Sequence, residues 1–206
     1  SDLDRCIALF HTHNGAADGR IRVGFGPHGV DTCDPDLLRS IRKAADELGC
    51  PVTIHLSQSE PERGIMEARY GKTPAEYLKH VGLLGPDLLT AHCVYASDTD
   101  LDLLHQSDTT IVNCPMSFAR GGVNASFDRF ASRGIRTVLG TDGYAMDFIG
   151  EMRAAAIVSK QREHRSEVAT AWDLIRATPL GGAAALGRQD LGRIEPGARA
   201  DLVVID

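Results

Sequence analysis

The stretch Pro51-Val52-Thr53-Ile54-His55 is an apolar, strand-like run that ends in a histidine, and two later runs have the same form. Leu88–His92 ends in His92, 37 residues after His55, and Thr137–Asp142 ends in Asp142, 50 residues after His92. These intervals match one or two strand–helix repeats of roughly 30 residues each. A (β/α) barrel assembles its catalytic centre from side chains at the carboxyl ends of successive parallel strands. We therefore expect these three side chains to converge at one rim of a parallel sheet.

Apolar runs and helical periodicities alternate along the whole chain. Five runs predict strands that end near residues 25, 55, 92, 113 and 142. The alternation predicts an α/β fold, in which five parallel strands form either an open doubly wound sheet or part of an eight-stranded barrel. Helix starts are predicted from capping patterns. They lie at Asp34-Pro35, Thr73–Glu76 and Ser97–Asp100, with further helices at 124–133, 148–164 and 169–186, the last one interrupted near Pro179.

Composition narrows the class of protein. The 206 residues carry a net charge of −6 at an isoelectric point near 5.7, which argues against nucleic acid or an anionic membrane as a partner. No apolar run approaches the ~18–20 residues that span a bilayer. The five cysteines are scattered and form no CxxC pair, so neither a disulfide framework nor a cysteine zinc site is expected. These features favour a cytoplasmic location.

Two imidazoles and a carboxylate form a ligand set that suits Zn²⁺ or Fe²⁺, with one position left for water. Such an ion lowers the pKa of its water from about 15.7 to about 7, so hydroxide is available at neutral pH. Taken singly, each residue has a simpler explanation, as a packed histidine or a loop aspartate. Their common position at strand ends favours His55, His92 and Asp142 as the ligands of one ion per subunit.

Further motifs match one known family in the same order along nearly the whole chain. The chain resembles the C-terminal half of the amidohydrolase superfamily, in the branch of cytosine/guanine-type deaminases and s-triazine chlorohydrolases. The matching segments are Gly26-Pro27-His28, residues 31–38, residues 55–60, Ala91-His92, Asn113-Cys114-Pro115-Met116-Ser117, Gly140-Thr141-Asp142-Gly143 and residues 192–204.

The resemblance implies a fold and roles for several residues. Residues 1–190 would form strands 4–8 of a (β/α)8 TIM barrel, and residues 191–206 would begin a small β-sandwich domain with a strand at Ala200–Asp206. The residues that match His55, His92 and Asp142 bind the metal in that family. The residue that matches Asp142 also takes a proton from the attacking water, and the one that matches His28 contacts the substrate.

The first departure from the family is Gln58. The family's deaminases have a glutamate three residues after the strand-5 histidine, where it moves protons to the ring nitrogen. An amide can orient a substrate or donate a hydrogen bond, but it cannot exchange a proton near pH 7. Either another group, such as His28, acts as the acid, or the substrate needs less help. Glu60 and Glu62 are close in sequence but are expected to be solvated at a helix start.

The second departure is Phe118-Ala119-Arg120, since the family commonly has asparagine after the motif serine. This stretch is expected to shape a different substrate pocket. Arg120 would receive an anionic or carbonyl group of the substrate, or would lie in solvent.

The family's metal site also includes an His-x-His pair at the end of strand 1. His11-Thr12-His13 has this form, but too few residues separate it from the run that matches strand 4. We interpret it as the end of a helix, and we expect the chain to be a piece of a longer protein whose metal site retains three of its five ligands here.

These observations predict a metal-dependent hydrolase of C–N bonds in a nitrogen heterocycle. A metal-bound hydroxide, oriented by Asp142, would attack an amidine-like carbon of a small-molecule substrate. Two alternatives remain open: a chlorohydrolase or N-alkylamine hydrolase of a triazine-like ring, in which Gln58 orients water or the ring, and an inactive fragment or binding module. The full-length protein could also form a homodimer.

Overall fold

Four parallel strands form one sheet within residues 1–123, 125–143 and 146–204, the residues that this computed structural model describes. Their order across the sheet is their order along the chain. A doubly wound sheet reverses its strand order at a switch point, whereas a barrel adds each strand beside the preceding one. The order therefore favours an arc of a barrel. The strands are β1 (Val52–Leu56), β2 (Leu88–His92), β3 (Thr110–Asn113) and β4 (Thr137–Leu139).

Helices connect these strands and also precede and follow the sheet. They are α1 (Asp2–His13), α2 (Ala16–Gly19), α3 (Pro35–Leu48), α4 (Glu60–Tyr70), α5 (Pro74–Val81), α6 (Asp98–Gln106), α7 (Pro115–Ala119), α8 (Phe127–Ala131), α9 (Phe148–Glu163), α10 (Ala171–Arg176) and α11 (Gly182–Ala185). A π-helical turn, Ala177–Gly181, joins α10 to α11 and accounts for the predicted interruption near Pro179. Within the described residues, no helix is both long and apolar enough to cross a membrane.

The three helix starts predicted from capping patterns are confirmed. Asp34 caps α3 by accepting a hydrogen bond from the Asp36 N–H. Both predicted capping boxes form, at the starts of α5 and α6. At the end of α3, Gly49 has a φ of 62°, a left-handed conformation that glycine adopts without steric cost.

The core lies between the sheet and the helices that cover it. Its fully buried side chains include Leu38, Val52, Ile54, Leu56, Leu78, Leu83, Leu88, Leu101, Leu104 and Ile111. Alternate residues of β1 point into this core, so the intervening side chains, His55 among them, lie on the other face.

Two of the five predicted strands differ from the prediction. In place of a strand at Ile21–Phe25, Phe25 forms an isolated parallel bridge with Val52, and Gly29 forms one with His55. Proline has no N–H to donate, so Pro27 prevents a continuous ladder between these bridges. The strand predicted to reach Asp142 ends at Leu139 instead.

Two other predictions fall partly outside the described residues. No strand forms over residues 200–204, the described part of the predicted tail strand, and Val203 and Val204 are exposed. A strand requires a hydrogen-bonded neighbour, and none of the described residues provides one here. The helix predicted from Asn124 is observed from Phe127 with Ser126 as its cap, and Asn124 lies outside the described residues.

Candidate metal and catalytic site

His55 and His92 come together at the carboxyl end of the sheet. His55 lies in β1, and His92, the last residue of β2, pairs in register with Leu56. The two imidazole rings stack with their centroids 5.2 Å apart and their planes 8° from parallel. Neighbouring parallel strands thus bring both predicted histidines to the same place, although 37 residues separate them in sequence.

His28 joins this group through the bridge between Gly29 and His55. Its ring centroid is 4.9 Å from that of His55, and its Nδ1 lies 2.9 Å from Thr32 Oγ1. Its backbone oxygen lies 2.7 Å from Nδ1 of His55. Because a carbonyl oxygen can only accept, Nδ1 of His55 carries the proton, and its Nε2 is left with a free lone pair. The backbone of His28 thus fixes the tautomer of His55.

His92 is 4% exposed, and its Nδ1 is a buried atom without a hydrogen-bond partner among the described residues. Burial, helped by the neighbouring His55, lowers the pKa of His92 to about 4 despite the opposing effect of Asp142. The ring is therefore neutral at pH 7, the form that binds metals. Its backbone φ of 78° is strained for a residue with a side chain, and such strain is concentrated at functional sites.

Asp142 lies three residues beyond β4 and is held in place by two donors. Ser117 Oγ donates to Oδ2 at 2.5 Å, and the Gly143 N–H donates to Oδ1 at 2.7 Å. Partial burial raises the pKa of Asp142, but these hydrogen bonds and the nearby histidines outweigh burial, and the net shift is downward. The carboxylate is therefore ionised at neutral pH.

The three predicted ligands lie near one another but do not form a preassembled cluster. Among the residues that the structure describes, no group of three or more His, Cys, Asp or Glu side chains is arranged to hold a metal ion. The two stacked rings hold their in-plane lone pairs in nearly parallel planes, so these lone pairs do not converge on one point. The donor chemistry still fits Zn²⁺ or Fe²⁺: a neutral imidazole with an unpartnered nitrogen, a second with a free Nε2, and an ionised carboxylate.

The other predicted site residues are placed as follows. Gln58 is half-buried, three residues after His55 on the loop between β1 and α4. Arg120 is exposed at the C-terminal end of α7. His11 and His13 are exposed near the end of α1, as predicted for a helix end.

The prediction that Glu62 is solvated is wrong. This residue is 1% exposed, and its two carboxylate oxygens accept the backbone N–H groups of Ser57 at 2.9 Å and Gln58 at 2.7 Å. Ser59-x-x-Glu62 has the form of a capping box, a pattern that could have indicated a hydrogen-bonded glutamate. Glu60 is exposed, as predicted.

The short helix α7, which no sequence pattern predicted, carries two further contacts to the site. Ser117 donates to Asp142, and the ring of Phe118 meets His92 edge-on at 4.8 Å. A buried carboxylate anchors this helix: Glu151 of α9 is 2% exposed and accepts the Met116 N–H at 3.2 Å. Glu151 therefore fixes the helix whose next two residues contact Asp142 and His92.

Replacing Glu151 with alanine is expected to lower the free energy of unfolding by about 1–3 kcal/mol, because the Met116 N–H loses its acceptor in a partly buried position. Glu151→Gln keeps an acceptor and should lose less. Urea denaturation measures both, with Gln161→Ala, at an exposed position of α9, as the control. A loss in Glu151→Ala no larger than in the control would contradict the anchoring role.

Almost the entire chain matches one protein family. The model of the amidohydrolase family matches residues 4–206. The chain therefore belongs to the amidohydrolase family, as the motifs predicted.

Two of the similar curated proteins are deaminases. The chain is 35% identical over 205 residues to a 5-methylthioadenosine/S-adenosylhomocysteine deaminase of Desulfitobacterium hafniense, covering 97% of this chain and 47% of that protein. It is 34% identical over 212 residues to a 5'-deoxyadenosine deaminase of Methanosarcina acetivorans, covering 100% of this chain and 49% of the relative. The chain thus spans about half the length of the curated relatives it matches.

Solved structures agree with the fold. An adenosine deaminase from Xanthomonas campestris with bound zinc superposes with a TM-score of 0.90 at 29% identity, covering 97% of this chain and 46% of that one. The zinc complex of an atrazine chlorohydrolase from Arthrobacter aurescens superposes with a TM-score of 0.86 at 23% identity, over 96% and 45% of the two chains. The four-stranded sheet therefore matches part of the barrel of amidohydrolase structures.

Proposed function

We propose that the protein containing this chain is a metal-dependent deaminase that hydrolyses the exocyclic C–N bond of an aminopurine ring in an adenine nucleoside. The observation that carries the proposal is the stack of His55 on His92 at the strand ends, beside an Asp142 carboxylate held by Ser117 and Gly143. Deaminase relatives at about 35% identity support the choice of substrate class.

The proposed ligands of the ion are His55, His92 and Asp142, with one Zn²⁺ or Fe²⁺ per subunit. A bound ion would supply Lewis acidity and make water more acidic. The fixed tautomer of His55 presents Nε2, and the buried ring of His92 stays neutral. The neutral His92 and the ionised Asp142 thus need no deprotonation before they bind a cation.

Proton movement falls to Asp142 and to a second group. The ionised carboxylate of Asp142 can take a proton from the attacking water, and Ser117 and Gly143 hold it in place for this step. The amide of Gln58 can orient a ring nitrogen but cannot protonate it. The exposed imidazole of His28, beside His55, is the proposed substitute acid.

The direct test measures ammonia release by the whole protein from 5-methylthioadenosine, S-adenosylhomocysteine and 5'-deoxyadenosine, together with its zinc and iron content. The expected result is turnover of at least one nucleoside by a preparation with about one ion per subunit. A folded preparation without metal or turnover would refute the proposal and would support the inactive or binding-module alternative.

Gln58→Glu separates deamination from the alternative chemistry. It restores a group that can exchange protons, and a general acid contributes about 10²–10⁴-fold. We therefore expect kcat for deamination to rise at least about tenfold. The alternative, a chlorohydrolase or N-alkylamine hydrolase, requires the amide itself. It would be favoured if Gln58→Glu abolished activity and the unmodified protein released chloride or an alkylamine from a triazine. Glu60→Gln, at an exposed position, is the control.

We also propose that residues 1–190 form the C-terminal part of a (β/α)8 barrel, with β1–β4 as strands 5–8 and the isolated bridges at Phe25 and Gly29 in the place of strand 4. Residues 191–206 would begin a small β-sandwich domain. The whole protein would be a cytoplasmic enzyme that could form a homodimer. A crystal structure of the whole protein tests the domain division, and sedimentation velocity tests the assembly. A tail at 191–206 packed into the barrel itself would contradict the division.

A further inference from the structure

The buried carboxylate of Glu62 accepts hydrogen bonds from the backbone of the loop between β1 and α4. Glu62, in the first turn of α4, is 1% exposed, whereas Glu60 in the same turn is exposed. A buried carboxylate is costly unless its oxygens are hydrogen-bonded, so its contacts indicate why it is there. Both oxygens are used: Oε1 accepts the Ser57 N–H at 2.9 Å, and Oε2 accepts the Gln58 N–H at 2.7 Å.

The backbone that Glu62 holds is strained. Ser57 has a φ of 47°, in the left-handed region that residues with side chains seldom occupy. Such a conformation costs roughly 1–3 kcal/mol and persists only where the surroundings enforce it. The two hydrogen bonds to Glu62 supply this constraint directly at Ser57 and at the next residue, Gln58.

Glu62 is poorly placed to act as an acid on a substrate. Both of its oxygens face backbone donors inside the protein, and the side chain is closed off from solvent. Its effect on any reaction must therefore pass through the loop that it holds. That loop carries Gln58, three residues after His55, which is the residue proposed above to orient a ring nitrogen of the substrate.

We propose that Glu62 is a positioning residue that fixes the Gln58 backbone, so that the amide side chain is held ready to orient a ring nitrogen of the substrate. This inference rests on the proposed function. Since an amide cannot move the proton itself, its contribution depends on orientation alone, and orientation requires a rigid loop.

The test compares Glu62→Gln with Glu60→Gln in the whole protein. Glutamine offers one acceptor oxygen, and its NH₂ group opposes a backbone N–H, so at least one of the two hydrogen bonds is lost. Amide hydrogen exchange of peptides covering residues 55–59 should become at least tenfold faster in Glu62→Gln and stay unchanged in Glu60→Gln. In the same variant kcat should fall about tenfold with little change in KM.

Combination with Gln58→Ala separates positioning from general destabilisation. If Glu62 acts through Gln58, adding Glu62→Gln to Gln58→Ala should lower kcat no further. Unchanged exchange in Glu62→Gln, or multiplicative effects on kcat in the double variant, would overturn the inference. Absence of turnover in the unmodified protein would refute the proposed function and the catalytic part of this inference with it, while the exchange data would still decide whether Glu62 holds the loop.

Discussion

Replacing His55 with alanine in the whole protein is expected to remove most of the bound zinc or iron and to lower kcat/KM for the nucleoside at least about 10³-fold. The backbone oxygen of His28 accepts the Nδ1 proton of His55, so the variant loses a ring whose tautomer leaves Nε2 available to an ion. Without this ring, the proposed ligand set in this chain is reduced to His92 and Asp142. Elemental analysis of the purified protein and steady-state kinetics measure the two effects.

The matched control is the double variant His11→Ala/His13→Ala. These exposed histidines near the end of α1 form the His-x-His pattern of the family's first strand, but they lie on a helix. We expect metal content and kcat/KM to stay unchanged in this variant. Metal loss in the double variant, with retention in His55→Ala, would mean that the proposed ligands are wrong.

The features that the sequence predicts well are those with local causes. The helix starts at Asp34, Thr73 and Ser97 depend on side chains that bond the adjacent backbone, and all three form as expected. The apolar runs before His55 and His92 are short, bounded and β-branched or leucine-rich, and both become strands. Because parallel strands end at one edge, these two runs were also sufficient to predict that the imidazoles would meet.

The features that the sequence did not reveal depend on distant partners. In the sequence, Glu62 looks like a solvated glutamate in the first turn of a helix. Only the folded loop supplies the two N–H groups that hydrogen-bond its buried carboxylate. Glu151 reaches Met116 across 35 residues. Five residues are too few for α7 to produce a recognisable periodicity, so its contacts with Asp142 and His92 emerge only in the fold.

The sequence also did not predict the strained backbone at the strand ends. Ser57, His92 and Asp142 all have positive φ, at 47°, 78° and 53°, although none is glycine. Each of them lies at or just beyond the carboxyl end of a strand, where the chain must turn sharply away from the sheet. The surrounding fold offsets this strain, and its presence at three strand ends supports the proposal that this rim is the functional edge of the sheet.

Replacing Asp142 with asparagine is expected to lower kcat about 10²–10⁴-fold, because the amide keeps the size of the carboxylate but cannot take a proton from water. KM should change only a few-fold, since the proposed substrate contacts lie on His28 and Gln58. Thermal unfolding should change little, because the Asp142 side chain is exposed. Asp102→Asn, at an exposed position of α6, is the control and should keep full activity.

Ser117→Ala provides a graded version of the same test. This variant keeps the Asp142 carboxylate but removes the hydroxyl that donates to Oδ2. The hydrogen bond from the Gly143 N–H to Oδ1 of Asp142 remains. We expect kcat to fall by about tenfold, which corresponds to about 1.4 kcal/mol in the barrier and is less than for Asp142→Asn. If both variants lost the same factor, the hydroxyl itself would be taking part in the reaction. If neither lost activity, Asp142 would not be the base, and proton removal from water would have to be assigned to another group at this rim.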